Sequence, residues 1–436
     1  MTLKTIFALC AATAMALPAQ ETFTTLHSFD STDGANPGVV LIQATNGALY
    51  GTASSFGANG AGTVFKMTPG GTLTTVYNFC SESGCMDGVL PEAGLLQATS
   101  GDFYGTTNGG GLGYGTVFKI TPGGTLTTLY SFCSQSGCAD GANPFAGLVQ
   151  GANGDFYGTA RNGGANSGGT VFEITPSGTL TTLYSFCSQG GCADGEFPDA
   201  GLVQAINGDF YGTTVQGGAN PSSYAGGSGT VFKMTPSGIL TTLYSFCSQS
   251  GCSDGELPIA GLVQATDGSF YGTTAYGGAN EGGGGSSAGT VFKITPMGAL
   301  TTLYNFCSQS ACVDGSYPVA ALVQATNGDF YGTTFFGGTS ATCYLGCGTV
   351  FDLSVGLGPF VVTQPTSGKV GMPVKILGTN LTGATSVTFN GTAAVFQVLS
   401  SSEIKASVPA GATTGTVEVV IPRGALSSNV TFRVLP

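Results

Sequence analysis

A strand-like hexapeptide, Thr-Thr-Leu-Tyr-Ser-Phe or a close variant, closes five internal repeats of this chain. A sixth copy, Thr-Thr-Leu-His-Ser-Phe, stands alone at residues 24–29, ahead of the first repeat. The last repeat stops after Gly-Thr-Val-Phe at residues 348–351 and lacks its own copy. A ring can take the missing strand from the other end of the chain, whereas an open stack would leave one strand unpaired. The pattern therefore predicts a closed β-propeller.

Two further elements give the number of repeats. Tyr-Gly-Thr recurs at Tyr50, Tyr104, Tyr157, Tyr211, Tyr271 and Tyr331, and Gly-Thr-Val-Phe at Gly62, Gly115, Gly169, Gly229, Gly289 and Gly348. Each unit predicts four antiparallel strands, which in the second unit cover residues 95–99, 102–107, 116–121 and 125–132. Six strands of each type are present only if residues 22–29 join the last unit. We therefore predict an all-β fold with a six-bladed propeller over residues 22–355, closed by an N-terminal strand.

The amino-acid composition argues against nucleic acid and anionic lipid as partners. Of the 436 residues 74 are glycine, only 8% are charged, and the net charge is −12. Binding to nucleic acid or to anionic lipid needs clustered Lys and Arg, which this chain lacks. Neither partner is therefore predicted.

Residues 1–19 have the pattern of a secretory signal. Lys4 provides the positive start, Ile6 to Met15 is apolar, and small residues follow. This stretch is too short for a transmembrane anchor, and no other segment could span a membrane. The mature protein is expected to be secreted, to the cell surface, the medium or the periplasm, and to be monomeric.

Twelve cysteines remain after signal removal, an even number in an exported chain. We predict six local disulfides: Cys80/Cys85, Cys133/Cys138, Cys187/Cys192, Cys247/Cys252, Cys307/Cys312 and Cys343/Cys347. The alternative is metal binding, but zinc sites bring two cysteine pairs, or a pair with histidines, into one cluster, and His27 is the sole histidine. No metal and no cofactor are predicted.

The repeat resembles the GloVer (Gloeo/Verruco) tandem repeat of secreted bacterial proteins. The resemblance covers roughly residues 22–353 and rests on the elements Asp-Gly-x-x-Pro, Phe-Tyr-Gly-Thr-Thr, Gly-Gly and Gly-Thr-Val-Phe. It implies export and a surface or extracellular location. It implies no particular activity.

A second domain follows a short linker at residues 355–359. The Tyr-Gly-Thr element does not recur in residues 359–436, where Val, Thr and Ile alternate with other residues. The spacing of the turn residues there is typical of a small β-sandwich. The segments 365–371, 378–380, 387–392 and 408–411 resemble an IPT/TIG immunoglobulin-like domain. Such domains act mainly as spacers or interaction modules, so the resemblance leaves the function open.

The loops indicate which side of the propeller binds a ligand. Turns between first and second strands and between third and fourth strands are short and uniform, whereas the opposite side carries the length changes and the cysteines. Loops there have 7 or 8 residues in the first three repeats and 13 or 14 in the last three. Aromatic residues on glycine-rich loops suit stacking on sugars or capture of a peptide. The predicted ligand-binding residues are Tyr224, Tyr276, Phe335, Phe336, Tyr344 and Arg161.

Other repeated polar residues have structural interpretations. One glutamine per first strand could ring the channel, but pairing with backbone groups is favoured: Gln43, Gln97, Gln150, Gln204, Gln264 and Gln324. One aspartate precedes glycine in each crossing between repeats, and an Asx turn is favoured over calcium binding: Asp33, Asp87, Asp140, Asp194, Asp254 and Asp314. Four residues break the repeat: Glu92, Arg161, Glu173 and Asp199.

These observations favour a non-enzymatic binding or adhesion protein whose ligand is a polysaccharide or another surface protein. No catalytic residues are assigned, because no Ser/His/Asp set, phosphate loop or metal-ligand cluster is present. The alternative is a secreted carbohydrate-active enzyme, a glycoside hydrolase or lyase, that uses carboxylates at the channel mouth such as Glu92 or Asp199.

Overall fold

The architecture comes from a computed structural model that describes residues 25–37, 41–44, 46–98, 100–151, 153–220, 226–280, 288–339 and 345–435. The predicted signal lies outside these residues, as do Tyr224, Cys343 and Tyr344. The described chain is almost entirely β-structure, with five short 3-10 turns. None of its helices is long and apolar enough to cross a membrane.

The first three repeats each form one antiparallel four-stranded sheet. Sheet 1 contains β1 (Ile42–Gln43), β2 (Leu49–Ala53), β3 (Thr63–Met67) and β4 (Leu73–Asn78). Sheet 2 contains β5 (Leu96–Gln97), β6 (Phe103–Thr107), β7 (Thr116–Ile120) and β8 (Leu126–Ser131). Sheet 3 contains β9 (Val149–Gln150), β10 (Phe156–Ala160), β11 (Thr170–Ile174) and β12 (Leu180–Ser185).

The later repeats continue this order, but the last sheet has only three strands. Sheet 4 contains β13 (Val203–Gln204), β14 (Phe210–Thr214), β15 (Thr230–Met234) and β16 (Leu240–Ser245). Sheet 5 contains β17 (Val263–Gln264), β18 (Phe270–Thr274), β19 (Thr290–Ile294) and β20 (Leu300–Asn305). Sheet 6 contains β21 (Val323–Gln324), β22 (Phe330–Thr334) and β23 (Thr349–Leu353). The 3-10 turns are Ser83–Cys85, Ser136–Cys138, Gly190–Cys192, Ser250–Cys252 and Ser310–Cys312.

The glycine of each Tyr-Gly-Thr element makes room for a cross-strand phenylalanine. Gly105 of β6 pairs with Phe118 of β7. A Cβ atom at Gly105 would lie 2.6 Å from Phe118 Cζ, closer than any real contact allows. The ring can therefore lie across the glycine, where it is fully buried.

Neighbouring sheets pack through aromatic pairs that recur from repeat to repeat. The tyrosine of one second strand stacks on the phenylalanine of the next, as Tyr104 does on Phe156 with ring centroids 4.0 Å apart. A second pair joins fourth and third strands, as Phe132 and Phe172 do at 5.2 Å. Each fully buried phenylalanine contributes about 2–3 kcal/mol through loss of apolar surface from water. The core is thus a series of equivalent interfaces between sheets.

The N-terminal segment contacts sheet 1 in the way that a fourth strand contacts the following sheet. Phe29 lies 5.2 Å from Phe65, the spacing of the pairs between complete sheets. Residues 25–30 nevertheless belong to none of the described sheets. The outer edge of β23 has no strand partner within the described residues, and Val350 is 79% exposed whereas its equivalent Val291 is fully buried. Ring closure therefore stays a prediction.

The C-terminal region has two sheets around one core. Its strands are β24 (Val362–Gln364), β25 (Ser367–Lys369), β26 (Pro373–Leu377), β27 (Ser386–Phe389), β28 (Thr392–Ala393), β29 (Phe396–Val398), β30 (Glu403–Ser407), β31 (Val417–Ile421), β32 (Gly424–Ser427) and β33 (Arg433–Leu435). One sheet has the order β24-β26-β30-β29, the other β28-β27-β31-β32, and β25 pairs in parallel with β33. Buried side chains from both four-stranded sheets, such as Ile376 and Val419, form a single cluster with Phe432, which directly precedes β33.

This C-terminal region contacts sheet 6 at the turn between β21 and β22. The Phe360 amide donates to the Thr326 carbonyl at 3.0 Å. The hydroxyl groups of Thr326 and Thr379 lie 2.9 Å apart. These bonds join the second domain to the end of the sheets that carries the short turns.

Candidate functional site

The sheets have two chemically different ends. We call the turn face the end with the turns between first and second and between third and fourth strands. We call the loop face the end with the loops between second and third strands and the crossings between sheets. Crossings and loops touch on the loop face through isolated bridges, for example Val89 with Gly109 and Glu256 with Tyr276.

An aspartate anchors each crossing between successive sheets on the loop face, and it is fully buried in the first four crossings and half-buried in the fifth. Asp254 is fully buried and accepts bonds from the Tyr244 hydroxyl at 2.7 Å, the Ser248 amide at 2.9 Å and the Gln249 amide at 3.2 Å. Equivalent bonds reach Asp87, Asp140, Asp194 and Asp314. We call this set the anchor network. Burial, together with the acceptor carboxylate, raises the pKa of Tyr244 to about 12.

The anchor network differs from the predicted Asx turns. An Asx turn bonds a side chain to the backbone two residues on, whereas these carboxylates accept from amides five and six residues earlier. The donors already present, two amides and two hydroxyls in the fourth repeat, occupy the oxygens that calcium would need. His27 replaces the tyrosine in this network, with its Nε2 atom 2.6 Å from Asp33 Oδ2.

Five of the predicted disulfides are present beside the anchor network: Cys80–Cys85, Cys133–Cys138, Cys187–Cys192, Cys247–Cys252 and Cys307–Cys312. Cys347 is also disulfide-bonded, and its predicted partner Cys343 lies outside the described residues. Glu196 approaches Cys187 and Cys192, and Glu256 approaches Cys247 and Cys252. Because these sulfurs are bonded to each other, they offer no thiolate to a metal ion.

The turn face repeats with little variation. Every first-strand glutamine donates from Nε2 to the carbonyl of the turn glycine four residues on, as Gln204 does to Gly208 at 3.1 Å. The favoured interpretation was that the glutamines satisfy buried backbone groups between repeats, whereas these bonds lie within one repeat. Gln264 and Gln324 also accept from the amides of Ile206 and Thr266 in the preceding sheet. Lys119 pairs with Asp102 at 2.8 Å, and Lys293 pairs with Asp267 at the same distance.

Glu173 takes the lysine position in sheet 3, and its neighbours adapt to the reversed charge. It accepts bonds from the Tyr157 hydroxyl at 2.5 Å and from Asn153 at 3.1 Å. Burial, and then the Glu173 charge, raise the pKa of Asp155. Glu173 lies on the turn face, so it is separate from the other three repeat-breaking residues.

Each crossing on the loop face has a residue in the left-handed backbone region directly before its proline. The φ values lie between 55° and 60° at Asn36, Leu90, Asn143, Phe197, Leu257 and Tyr317. Residues other than glycine pay about 1–3 kcal/mol for this conformation. Backbone bonds hold it, for example from Leu257 to Ser228 at 2.8 Å and from Ala275 to Leu257 at 3.0 Å.

Polar residues occupy the loop face over sheets 2 to 4. We call Glu92, Asn108, Asn143, Arg161 and Asp199 the polar arc. Asn108 donates to Glu92 Oε2 at 2.8 Å, and Asn143 donates to the Asn108 carbonyl at 3.0 Å. The Arg161 amide in turn donates to the Asn143 carbonyl at 3.1 Å. Hydrogen bonds therefore link this arc across successive sheets.

Arg161 is held on several sides at the end of the arc. Its Nη1 atom donates to Asp199 Oδ2 at 2.5 Å. Its guanidinium carbon lies 5.4 Å from the ring centroids of both Phe145 and Phe197. Burial raises the pKa of Asp199 to about 6, although the Arg161 charge opposes this shift. The second oxygen of Asp199 is buried without a partner in the described chain, which fits a carboxyl group that is poorly stabilised as an anion.

Aromatic residues occupy the loop face over sheets 5 and 6. We call Tyr276, Tyr317, Phe335 and Phe336 the aromatic cluster. Tyr317 lies 4.9 Å from Tyr276 and 5.7 Å from Phe336, and Phe335 lies 4.8 Å from Phe336. Phe335 is 61% exposed and the other three rings are half-buried. Val215, Leu257 and Ala275 form an apolar base next to Tyr276 and Tyr317.

The predicted binding residues thus fall into two groups. Tyr276, Phe335 and Phe336 lie together, whereas Arg161 belongs to the polar arc with Glu92 and Asp199. Tyr224 and Tyr344 lie outside the described residues.

The sequence analysis missed Tyr317, Phe145 and Phe197. A signal for all three was available, because each adjoins the proline of its crossing, where other repeats carry different side chains.

Comparison with known proteins gives weak structural similarities. A fungal alcohol oxidase of the AA5 family in complex with copper matches 92% of this chain and 98% of its own at 12% identity and a TM-score of 0.40. A putative oxidoreductase (glucose dehydrogenase) from Thermus thermophilus covers 73% and 96% at 14% identity and 0.38. A putative gluconolactonase covers 67% and 80% at 13% identity and 0.31. Similarities at this level do not support a shared activity, and no curated protein sequence matches the chain.

Family models give a firmer result. The model of the Gloeobacter/Verrucomicrobia repeat matches residues 11–222, 136–351 and 188–395, which together span most of the chain. The IPT/TIG domain model matches residues 361–434. The chain therefore belongs to the Gloeobacter/Verrucomicrobia repeat family and ends in an IPT/TIG domain.

Proposed function

We propose that this chain is a secreted or surface-located binding protein that holds a polysaccharide on its loop face. The aromatic cluster carries the proposal, because exposed rings on a rigid scaffold are suited to stack on the apolar faces of sugar rings. Phe335 is the most exposed ring of this cluster, at 61%. The disulfides next to the loops agree with an exported protein.

A six-bladed propeller is the proposed form of the repeat region, with residues 22–29 as the fourth strand of sheet 6. Val291 pairs with Tyr304 in sheet 5, so the equivalent pair in sheet 6 is Val350 with His27. A groove of about 370 Å³ runs beside β23 and is lined by Phe306, Val350 and Leu353. The strand would cover this groove. The C-terminal domain is proposed to be an immunoglobulin-like sandwich that spaces or docks the propeller.

Disulfide trapping tests the closure. His27→Cys combined with Val350→Cys is expected to form an intramolecular disulfide under mild oxidation. The matched control combines Leu26→Cys with Val350→Cys. This pair should not form a disulfide, because neighbouring residues of a strand point to opposite faces. Disulfide-linked dimers in place of a cross-linked monomer would contradict closure within one chain.

Loop-face binding is tested with two double variants, one on each face. Tyr276→Ser with Phe335→Ser removes rings from the aromatic cluster. Ile239→Ser with Met297→Ser removes apolar side chains from the turn face, where they are 66% and 89% exposed. On an array of polysaccharides and cell-wall fragments, the first variant is expected to lose binding by about 10-fold or more, from 1–3 kcal/mol per stacked ring. The second should bind like wild type, and equal losses would contradict the assignment of the face.

A carbohydrate-active enzyme is the second candidate, and it rests on one observation. The pKa of Asp199, raised by burial to about 6, lies in the range that a general acid needs. Product analysis on any polymer that binds separates the two functions. The proposed binder leaves polymer length unchanged, whereas an enzyme would shorten it and lose turnover in Asp199→Asn.

A further inference from the structure

The polar arc has no role in the aromatic stacking just proposed, yet it presents a rigid cation. Arg161 is the single arginine of the repeat region, and its side chain contacts residues beside the crossing prolines, where the side chains differ from repeat to repeat. The ring centroids of Phe145 and Phe197 lie 5.4 Å from its guanidinium carbon, and Asp199 accepts a hydrogen bond from its Nη1 atom. A guanidinium fixed in this way loses little conformational entropy when it binds a second group.

Arg161 retains hydrogen-bonding capacity after these contacts. A guanidinium has five N–H donors in a planar fork, and within the described residues only the bond from Nη1 to Asp199 uses them. The side chain is 34% exposed, so solvent and ligands reach it. The remaining donors match the planar geometry of a carboxylate, which arginine binds through two parallel bonds.

The neighbouring charges restrict what this site can accept. Asp199 lies against Arg161, and Glu92 stands further along the arc with Oε2 bonded to Asn108. One cation beside two carboxylates cannot balance a dianion such as a phosphate monoester. A singly charged carboxylate on an otherwise neutral polymer fits the charge better.

We propose that Arg161 binds a carboxylate group of an acidic, uronic-acid-containing polysaccharide, with Asp199, Phe145 and Phe197 as positioning residues. This inference rests on the proposed function, since it names the ligand class for the same loop face. Glu92 and Asn108 offer acceptors to hydroxyl groups of the same polymer, next to the cation.

Asp199 gives the site a pH dependence. The charge of Arg161 lowers the pKa of Asp199, against the larger effect of burial. Glu196 is the other carboxylate on the same crossing. Above a pH of about 6 Asp199 is ionised and competes with the ligand for Arg161. Below that pH Asp199 is neutral, while carboxyl groups with ordinary pKa values near 4 remain ionised. Binding of a polymer with isolated uronate groups should therefore strengthen as the pH falls from 7.5 to 5.

The experiment compares a mostly methyl-esterified polygalacturonate, whose free carboxyl groups are isolated along the chain, with its fully methyl-esterified form, which has the same backbone without the charge. The oxidised full chain is titrated with each polymer at pH 5 and pH 7.5. Wild type is expected to prefer the acidic polymer by about 10-fold at pH 5, because its free carboxylate accepts charge-assisted bonds from Arg161. The preference should shrink at pH 7.5.

Three variants make the result specific. Arg161→Gln should lose the preference while it still binds the methyl ester through the aromatic cluster. Asp199→Asn should show at pH 7.5 the preference that wild type shows at pH 5. Arg423→Gln, which removes an exposed arginine from the C-terminal domain, should behave like wild type. Circular dichroism of each variant establishes that it is folded.

Two outcomes overturn the inference in distinguishable ways. Equal binding of both polymers by wild type, with no effect of Arg161→Gln, would remove the role of Arg161 and leave loop-face binding intact. Failure of wild type to bind either polymer, or any other polysaccharide of the array, would overturn this inference together with the proposed function.

Discussion

The turn face and the loop face of the repeat sheets are built from the same strands but differ in what their residues do. On the turn face, the same bond from glutamine to a turn glycine recurs in all six repeats. The loop face has a repeated lower layer, the anchor network with its disulfides, and an upper layer that differs from sheet to sheet. The frame and the candidate site are therefore separable, because the loop-face residues that differ from sheet to sheet lie above a layer that recurs.

Loss of an anchor aspartate tests the lower layer and should have the largest effect on stability. Asp254→Ala leaves the amides of Ser248 and Gln249 and the Tyr244 hydroxyl without their acceptor in a buried site. The free energy of unfolding should fall by about 3 kcal/mol or more, as measured by urea denaturation. Tyr244→Phe, which removes a single donor, should cost about 1 kcal/mol. If Asp254→Ala lowered the free energy of unfolding by less than about 1 kcal/mol, the network would not hold the crossing.

The pH dependence of stability tests the polar arc. The folded-state pKa of Asp199, about 6, exceeds its ordinary value of 3.8, so the folded protein holds this proton more tightly than the unfolded chain does. Stability from this group is complete below pH 3.8 and is lost as the pH rises through about 6. Relative to wild type, Asp199→Asn should therefore gain up to about 3 kcal/mol between pH 4 and pH 7.5. A difference that does not change with pH would mean that Asp199 titrates normally.

Removal of one disulfide tests how much the loops depend on their cross-links. Cys187→Ser with Cys192→Ser opens a loop of six residues, for which the chain-entropy model gives about 2 kcal/mol. The same variant should keep its strands, because the disulfide lies outside β12 and β13. Calorimetry of the variant beside reduced wild type measures the change. Global unfolding at room temperature would indicate that the disulfides, and not the sheets, hold the fold together.

Loss of a surface ion pair on the turn face should have the smallest effect on stability and binding. Lys119 and Asp102 are both partly exposed, so solvent screens their attraction. Lys119→Met is expected to change the free energy of unfolding by at most about 0.5 kcal/mol and to leave polysaccharide binding unchanged. A larger effect, or a loss of binding, would weaken the distinction between the two faces.

Much of the sheet order could be predicted from sequence because repeated short-range patterns determine it. The third strand of sheet 2 was predicted at residues 116–121 and runs over Thr116–Ile120. The first strand was predicted at residues 95–99 but covers only Leu96–Gln97, since Ala98 already bonds across the turn to Asp102. Five disulfides were correctly predicted from spacing alone.

The candidate site was less predictable because its contacts join different repeats. Arg161 meets Asp199 from 38 residues away, and Tyr317, on the crossing after sheet 5, meets Tyr276 on the loop before it. Which side chains meet depends on the left-handed residue before each proline, and sequence patterns do not report that conformation. The anchor aspartates show the same limit, since their partners lie within and before the disulfide loop and not in the predicted turn.

The most direct test of the central claim is polysaccharide binding by the oxidised wild-type protein beside its two matched variants. The account predicts a reproducible polysaccharide ligand that the turn-face variant Ile239→Ser/Met297→Ser retains and the loop-face variant Tyr276→Ser/Phe335→Ser loses. Retention of the ligand by both variants, or its loss by both, would contradict the claim that the loop face is the binding surface.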